Sequence, residues 1–240
     1  GSEMCIRDRD DYYWMRLTDE QKKSKIRDEQ TKAVINYIDQ ENNYTQKSLS
    51  HTNLLQNTLF DEIVERIPKE DETVPFLENG YFYYSRYEEG KEYAIYCRKK
   101  GNIEADEEIL IDVNLMSEGY EYFRIGDIEI SPDDKIMAYS VDTLSRRIYT
   151  IHFMDLKTRE VHKSNIKNTS GSITWANDNK TVFYNIRNAE TLRSEKVMKH
   201  KLNSSSRDQE VYFEEDETFS VFSYKTKTCL LYTSPSPRDR

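Results

Sequence analysis

Cysteine, long apolar runs and basic stripes are all scarce in this chain of 240 residues, and each shortage excludes something. The three cysteines, Cys5, Cys97 and Cys229, form no CxxC pair, zinc spacing or disulfide framework. Cys97 lies in the strand-like Tyr93–Lys99 and reads as a small buried hydrophobe. A reducing cytoplasm fits this cysteine usage best. No run of apolar residues is long enough to span a bilayer. The formal net charge is −9, with no basic stripe, which argues against nucleic acid as a partner. Such acidity is compatible with basic peptide partners, but solubility alone is the favoured reading.

Reaction-centre motifs are absent too. There is no GxSxG nucleophile elbow, HExxH, P-loop, dinucleotide-binding glycine pattern or EF-hand loop. The four histidines, His51, His152, His162 and His200, are dispersed. His152 sits in an alternating strand, while His162 and His200 stand beside lysines and read as solvent-facing. Asn43, Asn168 and Asn203 each open a glycosylation sequon, but without evidence of secretion they read as helix-surface and loop polar residues. Arg146–Arg147 and the basic stretch Arg193–Lys201 are diluted by neighbouring acids, so neither reads as a phosphate site. No catalytic, cofactor-binding or metal-ligating residue is therefore assigned, and no cofactor is expected.

The two ends differ from the rest. Gly1–Arg9, GSEMCIRDR, and Cys229–Arg240, CLLYTSPSPRDR, resemble translated read-through of a sequencing adapter, one strand at each end. They are set aside as processing scars. On that reading 1–9 and 229–240 are artefacts, Cys97 is the single native cysteine, and the native protein extends in both directions. Glu3 and Asp8 cancel Arg7 and Arg9, while Arg238 and Arg240 exceed Asp239 by one, so removing both ends gives −9 − 1 = −10.

What the chain does have is a repeat. Ile128–Ser140, IEISPDDKIMAYS, recurs in outline 45 residues later as Ile173–Asn185, ITWANDNKTVFYN. Ile128, Asp133, Lys135 and Tyr139 match Ile173, Asp178, Lys180 and Tyr184. Each copy reads as strand, polar turn, strand, and a repeat of about 40–50 residues of this kind indicates β-propeller blades. Blade one runs through Thr73–Glu78, Tyr81–Tyr87, Tyr93–Lys99 and Glu108–Val113, with Asn79–Gly80 as the hairpin turn. Blade two takes Asp127–Ser131, Lys135–Asp142, Ile148–Asp155 and Glu160–Lys163. Blade three takes Ser172–Ala176, Thr181–Asn185, Glu195–Lys201 and Glu210–Glu214, and Thr218–Tyr224 begins a fourth. Asp133–Asp134 could suggest paired catalytic carboxylates, but Ser131–Asp134 fits a type I turn whose short side chains accept local backbone hydrogen bonds. The rings of Tyr81, Phe82, Tyr83, Tyr84 and Tyr87 read as inter-blade packing. Three and a fraction blades cannot close a ring, so an apolar blade face should lie exposed from about Ser220 onward, with poor solubility in isolation.

Ahead of the blades the period changes. Val34, Tyr37 and Ile38 share one helical face, and Leu55, Leu59, Ile63 and Ile67 recur every four residues. Lys22–Arg66 is thus one long helix or two docked helices, ended by Pro68. The aromatic cluster Tyr12–Tyr13–Trp14 should pin the segment before it onto an apolar surface. The expected organisation is a helical extension over 10–67 and a partial all-β propeller over 68–228.

Several segments carry a resemblance in continuous order over about 10–228. They include DYYWMR (Asp11–Arg16), ENNYT (Glu41–Thr45), YFYYSRYEEGKEYAIYCRKKG (Tyr81–Gly101), ILIDVNLMSEGYEYF (Ile109–Phe123), ISPDDKIMAYSVDTLSRRIYTIHFMDLKT (Ile130–Thr158), NTSGSITWANDNKTVFYN (Asn168–Asn185) and ETLRS (Glu190–Ser194). Together they resemble the N-terminal half of the oligopeptidase B branch of the prolyl oligopeptidase family. Met15 and Leu17 depart from the residues usual there. The resemblance implies a seven-bladed propeller capping an α/β-hydrolase domain, held partly by the helical extension. It implies a serine endopeptidase cleaving short peptides after Lys or Arg, with the propeller limiting access. The serine, aspartate and histidine of such enzymes, and the acids receiving the basic side chain, map to no position in this chain. The stretch itself is then expected to be inactive, with the hydrolase domain and remaining blades as its partners. The competing reading is a non-enzymatic propeller scaffold for protein binding. A carbohydrate-active propeller would need inward carboxylates repeated on several blades, and no clear repeated set is present.

Overall fold

The computed structural model describes residues 10–188, 190–204 and 206–226. The two outer segments set aside above lie outside these residues, with Cys5 and Cys229. The chain divides into two compact units, 1–68 and 69–240, each taken by itself.

The first unit is helical. Helix α1 (Asp19–Lys23) starts in a capping box, in which the Thr18 hydroxyl accepts from the Gln21 amide and the Gln21 side chain accepts from the Thr18 amide. Asp28 caps α2 (Glu29–Leu49) by accepting from the Thr31 amide at 2.7 Å. A 3-10 turn, Ser50–Thr52, leads from α2 into α3 (Asn53–Glu65) without leaving the right-handed helical region. The helical stretch therefore runs on rather than folding back on itself, and it ends three residues before Pro68. The N-terminal aromatics find their apolar surface within this unit. Trp14 meets Tyr37 edge-on at 5.9 Å and Tyr12 lies 6.4 Å from the same ring. Val34 is buried, whereas Leu55, Leu59, Phe60, Ile63 and Ile67 are all exposed.

The second unit is antiparallel β. Strands β1 (Asp71–Glu72) and β2 (Phe76–Glu78) both pair with β3 (Tyr81–Tyr87), followed by β4 (Ile95–Lys100) and β5 (Glu107–Asp112). Asn79 and Gly80 both take positive φ, as their two-residue hairpin turn requires. After a short helix α4 (Val113–Met116) come β6 (Arg124–Ile130), β7 (Ile136–Asp142), β8 (Tyr149–Asp155), β9 (Ile166–Trp175), β10 (Thr181–Arg187), β11 (Ser194–Lys201) and β12 (Gln209–Phe213), neighbours in that order. Blade one is β1–β5; β6–β8 and β10–β12 belong to blades two and three.

Strand β9 serves two blades. Its first half pairs with β8, through Thr169 with Tyr149 and Ile166 with Ile151, and its second half pairs with β10, through Ile173 with Tyr184 and Trp175 with Val182. Between the halves Gly171 has φ +97°, a turn of the backbone that an L side chain resists. This corrects the expected fourth strand of blade two. Glu160–Lys163 keeps only a bridge from Val161 to Met154, flanked by bonds from Asp155 N to Glu160 O and from His162 N to Phe153 O. The polar Lys163–Asn165 then interrupts the ladder, which resumes as Ile166–Thr169. Thr218–Tyr224 is likewise not a strand, because no second strand of its own blade lies among the described residues to pair with it. Phe222 and Tyr224 there are exposed.

The core lies between blades. Along β7 the side chains alternate: Met137, Tyr139 and Val141 pack with Leu110, Ile111 and Val113 of blade one, with Tyr83 and Tyr96 alongside. Ala138 faces the other way, where Ile151 and Phe153 pack with Ile173, Trp175, Val182 and Tyr184 of blade three. Phe153 and Trp175 meet edge-on at 6.1 Å. Strands buried on both faces are what the dense aromatic segments required.

Candidate functional site

The repeat positions become a set of equivalent clasps between blades. Ser140 ends the first copy, and its hydroxyl donates to Gly171 O at 2.8 Å. Asn185 ends the second, and its amide donates to Val221 O at 3.1 Å. Both residues are fully buried. Val221 thus stands where Gly171 does one repeat earlier, at the head of the next blade, and Thr174 Oγ1 donates to Ser223 O in support. Asp127 reaches across from β6 to accept from Ile173 N, and Glu129 O accepts from the Trp175 indole. Tyr84 and Tyr184, also repeat-equivalent, send their hydroxyls to Glu107 and Asp208 on later segments of their own blades. Burial and these carboxylates raise both phenols well above their ordinary range.

The turn carboxylates are structural. Asp133 accepts from the Ser131 hydroxyl and pairs with Lys135, while Asp134 has positive φ and faces Arg98. In the next copy Asp178 accepts from the amides of Lys180 and Thr181, and Asn179 has the matching positive φ. Cys97 is buried, and burial pushes its thiol up to about 12, so it is an inert packing group on the wall of a cavity of about 310 Å³ between blades one and two.

The histidines do not converge. His51 is exposed on the helical unit, and His152 stacks on Tyr139 at 5.4 Å, with burial lowering its pKa. His162 is half-buried rather than open. His200 departs furthest from the solvent-facing expectation: it stacks on Phe153 at 5.7 Å and its Nδ1 lies 2.7 Å from Asp208 Oδ1. Alternation on β11 turns it onto the blade despite its lysine neighbours. Asn168 lies within β9 rather than in a loop, whereas Asn43 is on the α2 surface and Asn203 in a turn. No group of three or more metal-ligating side chains occurs among the described residues. No helix among them is long and apolar enough to cross a membrane.

Two arrangements escaped the sequence. Asp127 and Glu129 stand on β6, and burial, with Asp127 adding its charge, raises Glu129 to about 7. Ser172 and Thr174 occupy the equivalent positions on β9, so these carboxylates are not a repeated set. The second is a cleft of about 330 Å³ lined by Arg124, Arg147, Arg187, Tyr149, Ser170, Ser172 and their neighbours. Arg147 is one half of the basic pair discounted above.

The clasps, the shared strand and the two-sided cores define a partial β-propeller with a helical extension. The chain belongs to the family described as prolyl oligopeptidase, N-terminal β-propeller domain, which matches residues 7–232. It is 35% identical over 226 residues to dipeptidyl aminopeptidase BI of Pseudoxanthomonas mexicana, covering 88% of this chain and 30% of that protein. It is 29% identical over 227 residues to protease 2 of Moraxella lacunata, covering 91% of this chain and 31% of that one. Among solved structures, oligopeptidase B from Leishmania major superposes with a TM-score of 0.75 at 32% identity, over 89% of this chain and 29% of that chain. The chain therefore spans about 30% of the length of the relatives it matches.

Proposed function

We propose that this chain is the substrate-gating propeller portion of a cytoplasmic serine oligopeptidase that cleaves short peptides after Lys or Arg. The bond chemistry would belong to an α/β-hydrolase domain of the same protein, where a histidine activates a serine and backbone donors hold the oxyanion. The chain by itself is then inactive. The observation that carries this reading is the likeness to peptidases along nearly the whole chain, in a propeller whose clasps leave Val221 heading another blade. The exposed ridge of Leu55, Leu59, Ile63 and Ile67 supports it, as a helix face suited to cover by further polypeptide.

Reading the gene onward from residue 228 tests the proposal. Further blades followed by a GxSxG elbow are expected, and the encoded protein should hydrolyse amide substrates after Lys or Arg faster than after Pro. A reading frame that ends soon after residue 228, or a closed propeller without a hydrolase domain, would overturn it.

A further inference from the structure

We propose that the cleft between blades two and three is a carboxylate-binding site formed by Arg124, Arg147 and Arg187. The three arrive from different elements: Arg124 opens β6, Arg147 precedes β8 and Arg187 closes β10. Two of them are tied directly, since Arg187 Nη1 donates to Arg147 O at 2.9 Å across 40 residues of sequence, and Arg124 lines the same cleft. Among the described residues none of the three has a carboxylate within ion-pair distance. Asp127 itself lines the cleft and Asp142 sits opposite Arg124 in the strand register, and both carboxylates already accept from backbone amides. Asp142 is buried and accepts from the amides of Leu144 and Arg147, and Asp127 accepts from those of Ile128 and Ile173.

Three positively charged side chains line this one cleft, and an anion bound among them would gain from their charge while accepting N–H bonds. The walls favour a small planar group. Buried Tyr149 and Ser170 and the half-buried Ser172 leave a cleft of about 330 Å³, enough for a chain terminus or one side chain and too small for a folded partner. The carboxylate has two sources: the free C-terminus of a short peptide, which rests on the function proposed above, or an Asp or Glu side chain within a longer polypeptide.

Binding to the intact 240-residue chain, followed by NMR, separates these. One probe pair is acetyl-tetra-alanine as free acid and as amide. The other is an amidated acetyl-tetrapeptide carrying an interior Glu or an interior Gln. The charged member of at least one pair should bind about tenfold more tightly, the scale of a charge-assisted hydrogen bond. An advantage in the first pair assigns the site to peptide termini; an advantage confined to the second assigns it to acidic side chains. Arg124→Gln and Arg187→Gln should each abolish the advantage, and Arg146→Gln, outside the cleft, should keep it. Equal binding within both pairs, or an advantage that survives both cleft variants, would overturn the proposal. The unmodified chain alone decides the first comparison, so a variant that fails to fold does not rescue the idea. Because binding is read without turnover, it can fail while peptidase activity of a longer protein stands.

Discussion

Gly126→Ala should open the junction between blades two and three while leaving blade one closed. A Cβ on Gly126 would lie 2.6 Å from Ser140 Oγ and 2.7 and 2.8 Å from the Cε1 and Cδ1 atoms of Tyr149. Ordinary carbon contacts need about 3.5–4 Å, so the ring must retreat by close to 1 Å. Retreat within the ring plane is blocked, because the ring's opposite edge, Cδ2 and Cε2, lies against Gly171, one repeat further on. The Ser140 hydroxyl is equally fixed, taking the Asp127 amide at 2.9 Å and giving to Gly171 O. Overpacking of this kind costs about 1–3 kcal/mol, or roughly 5- to 160-fold in the local opening equilibrium. Hydrogen exchange read by mass spectrometry should show that acceleration in peptides covering 136–155 and 166–175, with 95–112 as the unchanged internal reference. Adding Tyr149→Ala removes the ring contacts and leaves only the one to Ser140 Oγ, so the double variant should exchange more slowly than the sum of the two single effects predicts. Unchanged exchange in the single variant, or fully additive effects in the double, would refute the clamp.

Asn185→Ala removes the bond to Val221 O and leaves that carbonyl and the Ser223 hydroxyl unserved. A loss of about 1–3 kcal/mol should appear as faster exchange in 218–226 and in β10. Glu129 has a folded pKa of about 7 against an ordinary 4.5, so its contribution is fully present below about pH 4.5 and is lost as pH rises through 7. The urea midpoint followed by tryptophan fluorescence should therefore fall between pH 5 and 8, and Glu129→Gln should flatten that fall; an unchanged slope would refute it. In a Cys5→Ser/Cys229→Ser background, the remaining thiol of Cys97 should resist a disulfide reagent at pH 8 until urea is added, and rapid native labelling would contradict its burial.

The parts legible in the sequence were those set by local chemistry. Tyr139 and Tyr184, or Asp133 and Asp178, carry the same turn and strand-facing roles wherever the repeat occurs, so their spacing exposed the blades. The shared strand was hidden because Lys167, Asn168 and Thr169 look like loop, and it is the pairing of Thr169 with Tyr149 and Ile186, and of Ile166 with Ile151, that draws the segment into the ladder. The turned-in His200 was hidden because its lysine neighbours suggested water, whereas strand alternation decides which way each side chain points. The arginine cleft was illegible in principle. Its members lie far apart in sequence, and only the approach of two blades gives them a common space.

Because β9 closes one blade and opens the next, the repeat in sequence and the blade in space are out of phase. A cut at Gly171 that leaves Ile166–Thr169 with blade two deprives blade three of the pair between Thr169 and Ile186. During synthesis blade two lacks its closing pairs until Ile166–Thr169 has emerged, and the same strand then delivers Ile173–Trp175 to the next blade. Assembly should proceed as a relay in which finishing one blade positions the start of another, so neighbouring blades should be lost together when the strand between them is broken.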